Sequence, residues 1–247
     1  MDPIFGNFTE PSNPFVLFGT VHLITSAILA VIGIIIVRIG MSSNEVTKRR
    51  FRVGMALFFL FFELEWQAWH LWHGVWSTDI NLPLHLCSAM VWVSMYGLFF
   101  EDRRVYGLMY FLGIAGALQA IITPNAHETF PHIRFVATML AHSLLVISGF
   151  WVVFVEKYRP SFRSGLNAFL GLNVYALVVY FIDRAIGANY LYVVDKPSVA
   201  TVMNYFPEWP WYIPILEGIL VVLMIGMLLP FLRATNEKEE TPRKAHD

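Results

Sequence analysis

FVLFGTVHLITSAILAVIGIIIV, residues 15–37, contains no Asp, Glu, Lys or Arg. At about 1.5 Å rise per residue, a helix of that length crosses a hydrocarbon layer of roughly 30 Å. Arg38 and the cluster Lys48, Arg49, Arg50 and Arg52 follow, and then another apolar stretch begins. The pattern repeats along the chain, giving expected spans at 15–37, 51–73, 81–100, 104–123, 133–155, 163–184 and 211–233. Of the 247 residues, 57% are apolar and only 14% charged, a balance that requires lipid as part of the solvent. The reading is an all-α polytopic membrane protein of seven transmembrane helices.

Basic residues set the orientation. Arg38, Lys48, Arg49, Arg50, Arg52, Arg103, Arg104, Lys157, Arg159, Arg163, Arg233, Lys238, Arg243 and Lys244 fall on one side of such a bundle, leaving Arg134, Arg184 and Lys196 on the other. The positive-inside rule then puts the N-terminus outside and the C-terminus in the cytoplasm. Residues 1–233 form one membrane domain, and 234–247 read as a disordered, charged cytoplasmic tail. The start, Met1-Asp2-Pro3-Ile4, lacks a basic n-region, so no cleaved signal peptide is expected. A net charge of −1 gives no field for nucleic acid. The segment Gly187 to Pro210, rich in Tyr, Trp and Pro, suits the headgroup level as an aromatic belt and could alternatively fold over a site as a lid.

Polar residues inside spans are costly and concentrate at functional cavities. Here they gather within about 15 Å of the outer ends. His22 lies on the first span; Glu63, Gln67 and His70 share one face of the second; and Glu65 belongs to another stripe with Trp69 and Trp72. His85 and Cys87 open the third span, Gln119 ends the fourth, with Asn125 beyond it, and His142 is on the fifth. Asn173 lies deeper on the sixth span, and Glu217 is on the seventh. Any one of these could be a hydrogen bond between helices worth about 1 kcal/mol. Together they suggest an outward-facing polar cavity.

Within that layer, Asn81-Leu82-Pro83 reads as a helix start, with Asn81 as cap and Cys87 just inside. A helix N-terminus and a nearby imidazole both favour a thiolate. His85, two residues away, projects from nearly the opposite side of the helix, so His142 is the better partner. The expected chemistry is a Cys87 nucleophile that forms a thioester with a lipid acyl group, with His142 as general base. Glu63, Gln67 or Glu217 would orient the histidine. The alternative for Cys87 alone is a small core side chain.

The stretches Leu82-Pro83-Leu84-His85-Leu86-Cys87-Ser88, Thr123-Pro124-Asn125, Phe130-Pro131-His132, His142-Ser143, Gly187-Ala188-Asn189-Tyr190-Leu191, Lys196-Pro197 and Pro210-Trp211-Tyr212 resemble the YwaF-type bacterial integral membrane proteins. That family is similar to eukaryotic multi-pass Cys/His phospholipid acyltransferases and distantly to androgen-induced Thr/His lipid hydrolases. The resemblance implies Cys87 as nucleophile, His142 as base, a membrane lipid as substrate and a bacterial cell membrane as location. No cofactor is implied. Two readings compete: a zinc hydrolase using His70, His85, His142 and Glu63, and a lipid- or solute-binding membrane protein without chemistry.

Overall fold

The computed structural model describes residues 4–5, 13–124, 126–197 and 202–239. Among the described residues there are seven long helices: α1 (Thr20–Ser42), α2 (Glu45–Trp72), α3 (Leu86–Phe100), α4 (Tyr106–Ile122), α5 (Ile133–Phe154), α6 (Phe162–Ile186) and α7 (Tyr212–Glu239). Among the described residues there is no strand, only the isolated bridge of Pro14 to Glu128. By length and composition, α1, α5, α6 and the Tyr212–Leu232 part of α7 are apolar enough to cross a membrane. The apolar helices α3 and α4 are shorter. Helix α2 is longer than its expected span because its first turns carry the basic cluster beyond the apolar stretch.

Local chemistry sets the helix ends. Asn44 caps α2 by accepting from the Thr47 backbone N–H at 2.9 Å, beside Glu45 in the first turn. Ser161 and Ser164 form a reciprocal capping box at α6. Gly187, in the left-handed conformation at φ 73°, closes α6. Helix α7 continues to Glu239, past the point where a charged tail was expected to begin, and residues 240–247 lie outside the described residues.

The start of α3 differs from the sequence expectation. Its cap is His85, not Asn81, which moves Cys87 to the second helical residue. Asn81 is buried and accepts from the Ser77 N–H at 3.2 Å, while the Leu82 N–H donates to the Tyr190 hydroxyl at 2.9 Å. A distant side chain therefore uses a donor that a helix starting at Asn81 would leave to water.

Helix α4 is the axis of the bundle. It contains a π-helical stretch, Met109–Gly113, in which every residue is buried. Half of the most apolar part of α5 is also buried, against 11% for α1 and for α7, whose large apolar side chains face outward. Close approaches depend on glycine. A Cβ on Gly33 would stand 2.9 Å from Ile147, one on Gly40 2.5 Å from Trp151, and one on Gly149 2.5 Å from Ile114.

The two ends of the bundle are built differently. At the basic end, Arg52 is buried and bonds Glu101 and Glu156, the latter at 2.8 Å. Glu156 also accepts from the Trp151 indole at 2.9 Å, and its carbonyl accepts from Arg103. At the opposite end, residues 187–197 fold back over the bundle, and Trp209 and Tyr212 bond to them.

Candidate functional site

Cys87 sits at the start of α3, where backbone N–H groups have no helical partner. It packs against the main core, and a Cβ on Gly116 of α4 would stand 3.7 Å from its Sγ. Above it, the Leu191 N–H donates to His85 Nδ1 at 3.3 Å, and the His85 ring lies against Tyr190 and Tyr192, with centroids 5.0 and 5.4 Å away.

The segment that supplies these contacts is a folded cover. Tyr190 is fully buried; besides accepting from Leu82, its hydroxyl donates to the Thr78 carbonyl at 2.9 Å. The Asn189 side chain gathers Val194, Asp195 and Lys196. The Tyr212 hydroxyl donates to the Tyr192 carbonyl at 2.6 Å, and the Trp209 indole to Val193 at 2.9 Å. Leu191 and Tyr192 both hold positive φ, at 54° and 55°, a conformation that costs non-glycine residues and needs surrounding contacts to persist. Trp209, Trp211 and Tyr205 remain exposed on the same segment, so an aromatic surface and a cover coexist.

His142 lies in the first half of α5. Its Nδ1 faces the Thr138 carbonyl at 2.8 Å, which fixes the proton on Nδ1 and leaves Nε2 as a lone-pair acceptor. Helices α3 and α5 touch, yet among the described residues no hydrogen bond joins Cys87 to His142.

The other predicted residues divide among several roles. His22 is buried and fully engaged, accepting from the Phe18 N–H at 3.1 Å and bonding the Ile121 carbonyl at 2.8 Å, so it ties α1 to α4. Gln67 bonds Glu63 at 3.0 Å and the Asn81 carbonyl at 2.8 Å, and accepts from the Trp76 indole at 2.7 Å. His70 shares the face with them but is buried, with Nδ1 on the Trp66 carbonyl at 2.8 Å. Gln119 is exposed. Asn173 bonds back to the Phe169 carbonyl at 3.0 Å. Glu217 is half-buried, without a hydrogen bond among the described residues. Asn125 lies outside the described residues. Among the described residues, no three His, Cys, Asp or Glu side chains converge as a metal set: His70 faces the tryptophans of α2, whereas His85 faces the cover.

Sequence reasoning missed one cluster. Arg134 pairs with Glu65 at 2.6 Å, and its guanidinium lies 4.2 Å from the Trp66 ring centroid and 5.9 Å from that of Trp69. Arg134 Nε and Glu65 Oε1 are buried without hydrogen-bond partners among the described residues. The available signal was charge: Arg134 begins a span on the side with few basic residues, and Glu65 lies in a tryptophan stripe. Asp183, in the last turn of α6, is buried beside the cover.

The TMEM164 family model matches residues 17–228, a range that contains every candidate residue named above. The chain belongs to the TMEM164 family. An uncharacterized protein of Treponema pallidum (strain Nichols) is 26% identical over 222 residues, covering 88% of this chain and 90% of that one. No solved structure matches. The family and the apolar helices make this an integral, multi-pass membrane protein.

Proposed function

We propose that this TMEM164 family member is a lipid-active enzyme of the bacterial cell membrane, with its N-terminus outside, that transfers or hydrolyses a phospholipid acyl group through Cys87. The observation that carries the reading is the setting of Cys87: a thiol at a helix start, beneath the Tyr190–Tyr192 cover, next to a helix that holds an imidazole with Nε2 available. The YwaF-type resemblance supports the same pair of residues.

In the proposed reaction, His142 Nε2 takes the thiol proton and the Cys87 thiolate attacks the ester carbonyl. Collapse breaks the acyl C–O bond; the departing lysolipid oxygen takes the proton back, and the acyl group remains as a thioester. A lipid hydroxyl or water then attacks the thioester, its proton passing to His142, and the thiolate leaves and is reprotonated. Hydrogen bonds of this type often tighten only in the substrate complex. The N–H groups at the start of α3 are suited to the oxyanion.

The test is mass spectrometry of purified protein incubated with mixed phospholipids. The expected result is an acyl adduct on Cys87 and altered lipid species, with both lost in Cys87→Ser and turnover lost in His142→Ala. Turnover at the parent rate in both variants would refute the reading.

A further inference from the structure

Helix α2 carries four cations near its start, and the fold treats them unequally. Lys48 pairs with Glu45 at 2.8 Å, and Arg52 is buried between Glu101 and Glu156. Arg49 and Arg50 are exposed and, among the described residues, make no ion pair. Both border a shallow, open groove on the surface of α2, lined otherwise by Val46, Val53, Gly54 and Leu57 of the same helix.

The groove follows one face of the helix. Positions 46, 49, 50, 53, 54 and 57 recur at three- and four-residue steps, away from the core-facing Arg52, Met55, Ala56 and Phe59. Its floor is a notch at Gly54, where an added Cβ would meet nothing within 4 Å. Cations therefore stand at one end of this face, and an apolar strip runs from them toward the exposed side chains Leu57 and Phe58. Guanidiniums suit phosphate oxygens, and their position at a helix end beside an apolar wall matches a lipid whose phosphate lies at the interface and whose chain runs inward.

We infer that this groove binds an anionic phospholipid, with its phosphate on Arg49 and Arg50 and an acyl chain along Val53, Gly54 and Leu57. Charge complementarity selects the anionic class: two unpaired cations would be only partly neutralised by a zwitterionic headgroup. The site is at the opposite end of the bundle from Cys87 and rests on no part of the catalytic reading.

The test is native mass spectrometry of the full chain released from detergent and titrated with phosphatidylglycerol or phosphatidylcholine. Phosphatidylglycerol is expected to bind at least about tenfold more tightly, and the preference to fall by roughly tenfold in the Arg49→Gln/Arg50→Gln double variant. Gly54→Leu should weaken phosphatidylglycerol binding with both arginines intact, because the notch is then filled. Lys48→Gln should leave binding unchanged, since that charge is already paired. Equal binding of the two lipids, an unaltered double variant, or unaltered binding by Gly54→Leu would each overturn the proposal. Full displacement by millimolar inorganic phosphate would also overturn it, showing a phosphate site and not a lipid site. Melting points of the variants within a degree or two of the parent establish that losses come from the groove.

Discussion

Replacing Gly149 with alanine tests how α5, which holds His142, meets α4, the helix that packs against Cys87. The new Cβ would stand 2.5 Å from Ile114 Cγ1, 2.8 Å from its Cδ1 and 3.0 Å from the Met109 carbonyl oxygen. Carbon contacts are favourable at about 3.5–4.0 Å, so α5 and α4 must separate by roughly 1 Å. Little can yield: Cγ1 is bonded directly to the Ile114 Cβ, the carbonyl belongs to the π-helical stretch, and both residues are buried. Overpacking of this kind costs about 1–3 kcal/mol. For a chain of this length that is a fall of about 2–12 °C in melting temperature. Gly171→Ala is the control, because a Cβ there meets nothing within 4 Å and the exchange alone favours the helix by up to about 1 kcal/mol. The assay is thermal unfolding in one detergent followed by tryptophan fluorescence, beside lipid turnover at a temperature where both variants remain folded. Gly149→Ala melting as high as Gly171→Ala would refute the packing reasoning. Lowered stability with unchanged turnover would show that the α4–α5 spacing does not set the site.

Other consequences can be checked in the same way. Arg52→Ala should lower stability by about 3 kcal/mol, since it leaves Glu156 buried without its cation; melting within a degree of the parent would contradict this. Tyr190→Phe removes the hydroxyl shared by Leu82 and Thr78, for a local cost of about 1–3 kcal/mol; protease cleavage within 187–210 should accelerate while global melting changes little. Gly116→Val brings side-chain atoms onto Leu86 and Cys87, so alkylation of Cys87 by a small maleimide should slow at least several-fold; an unchanged rate would place the thiol elsewhere.

Much of the architecture is legible along the chain because each helix needs its own apolar run to meet lipid or core. The expected span 133–155 is realised as Ile133–Phe154 and 163–184 as Phe162–Ile186. The expected start of α3 is off because it depends on a donor–acceptor pair separated by more than a hundred residues, Leu82 with Tyr190. Spacing showed that Glu63, Gln67 and His70 share a face of α2. It could not show that Gln67 would be taken up by Asn81 and Trp76, or His70 by the Trp66 carbonyl.

The sequence by itself determined an all-helical membrane chain with its basic residues sorted to one end and its polar side chains to the other. Composition and period suffice for that, since an apolar helix and a charged loop each choose their solvent locally. Only the tertiary structure decided that Arg134 would pair with Glu65, that His22 would be spent joining α1 to α4, and that residues 187–197 would close over the start of α3. Those outcomes depend on which helix neighbours which and at what depth. That is fixed by close approaches such as Gly33 to Ile147 and Gly149 to Ile114, which no local pattern encodes.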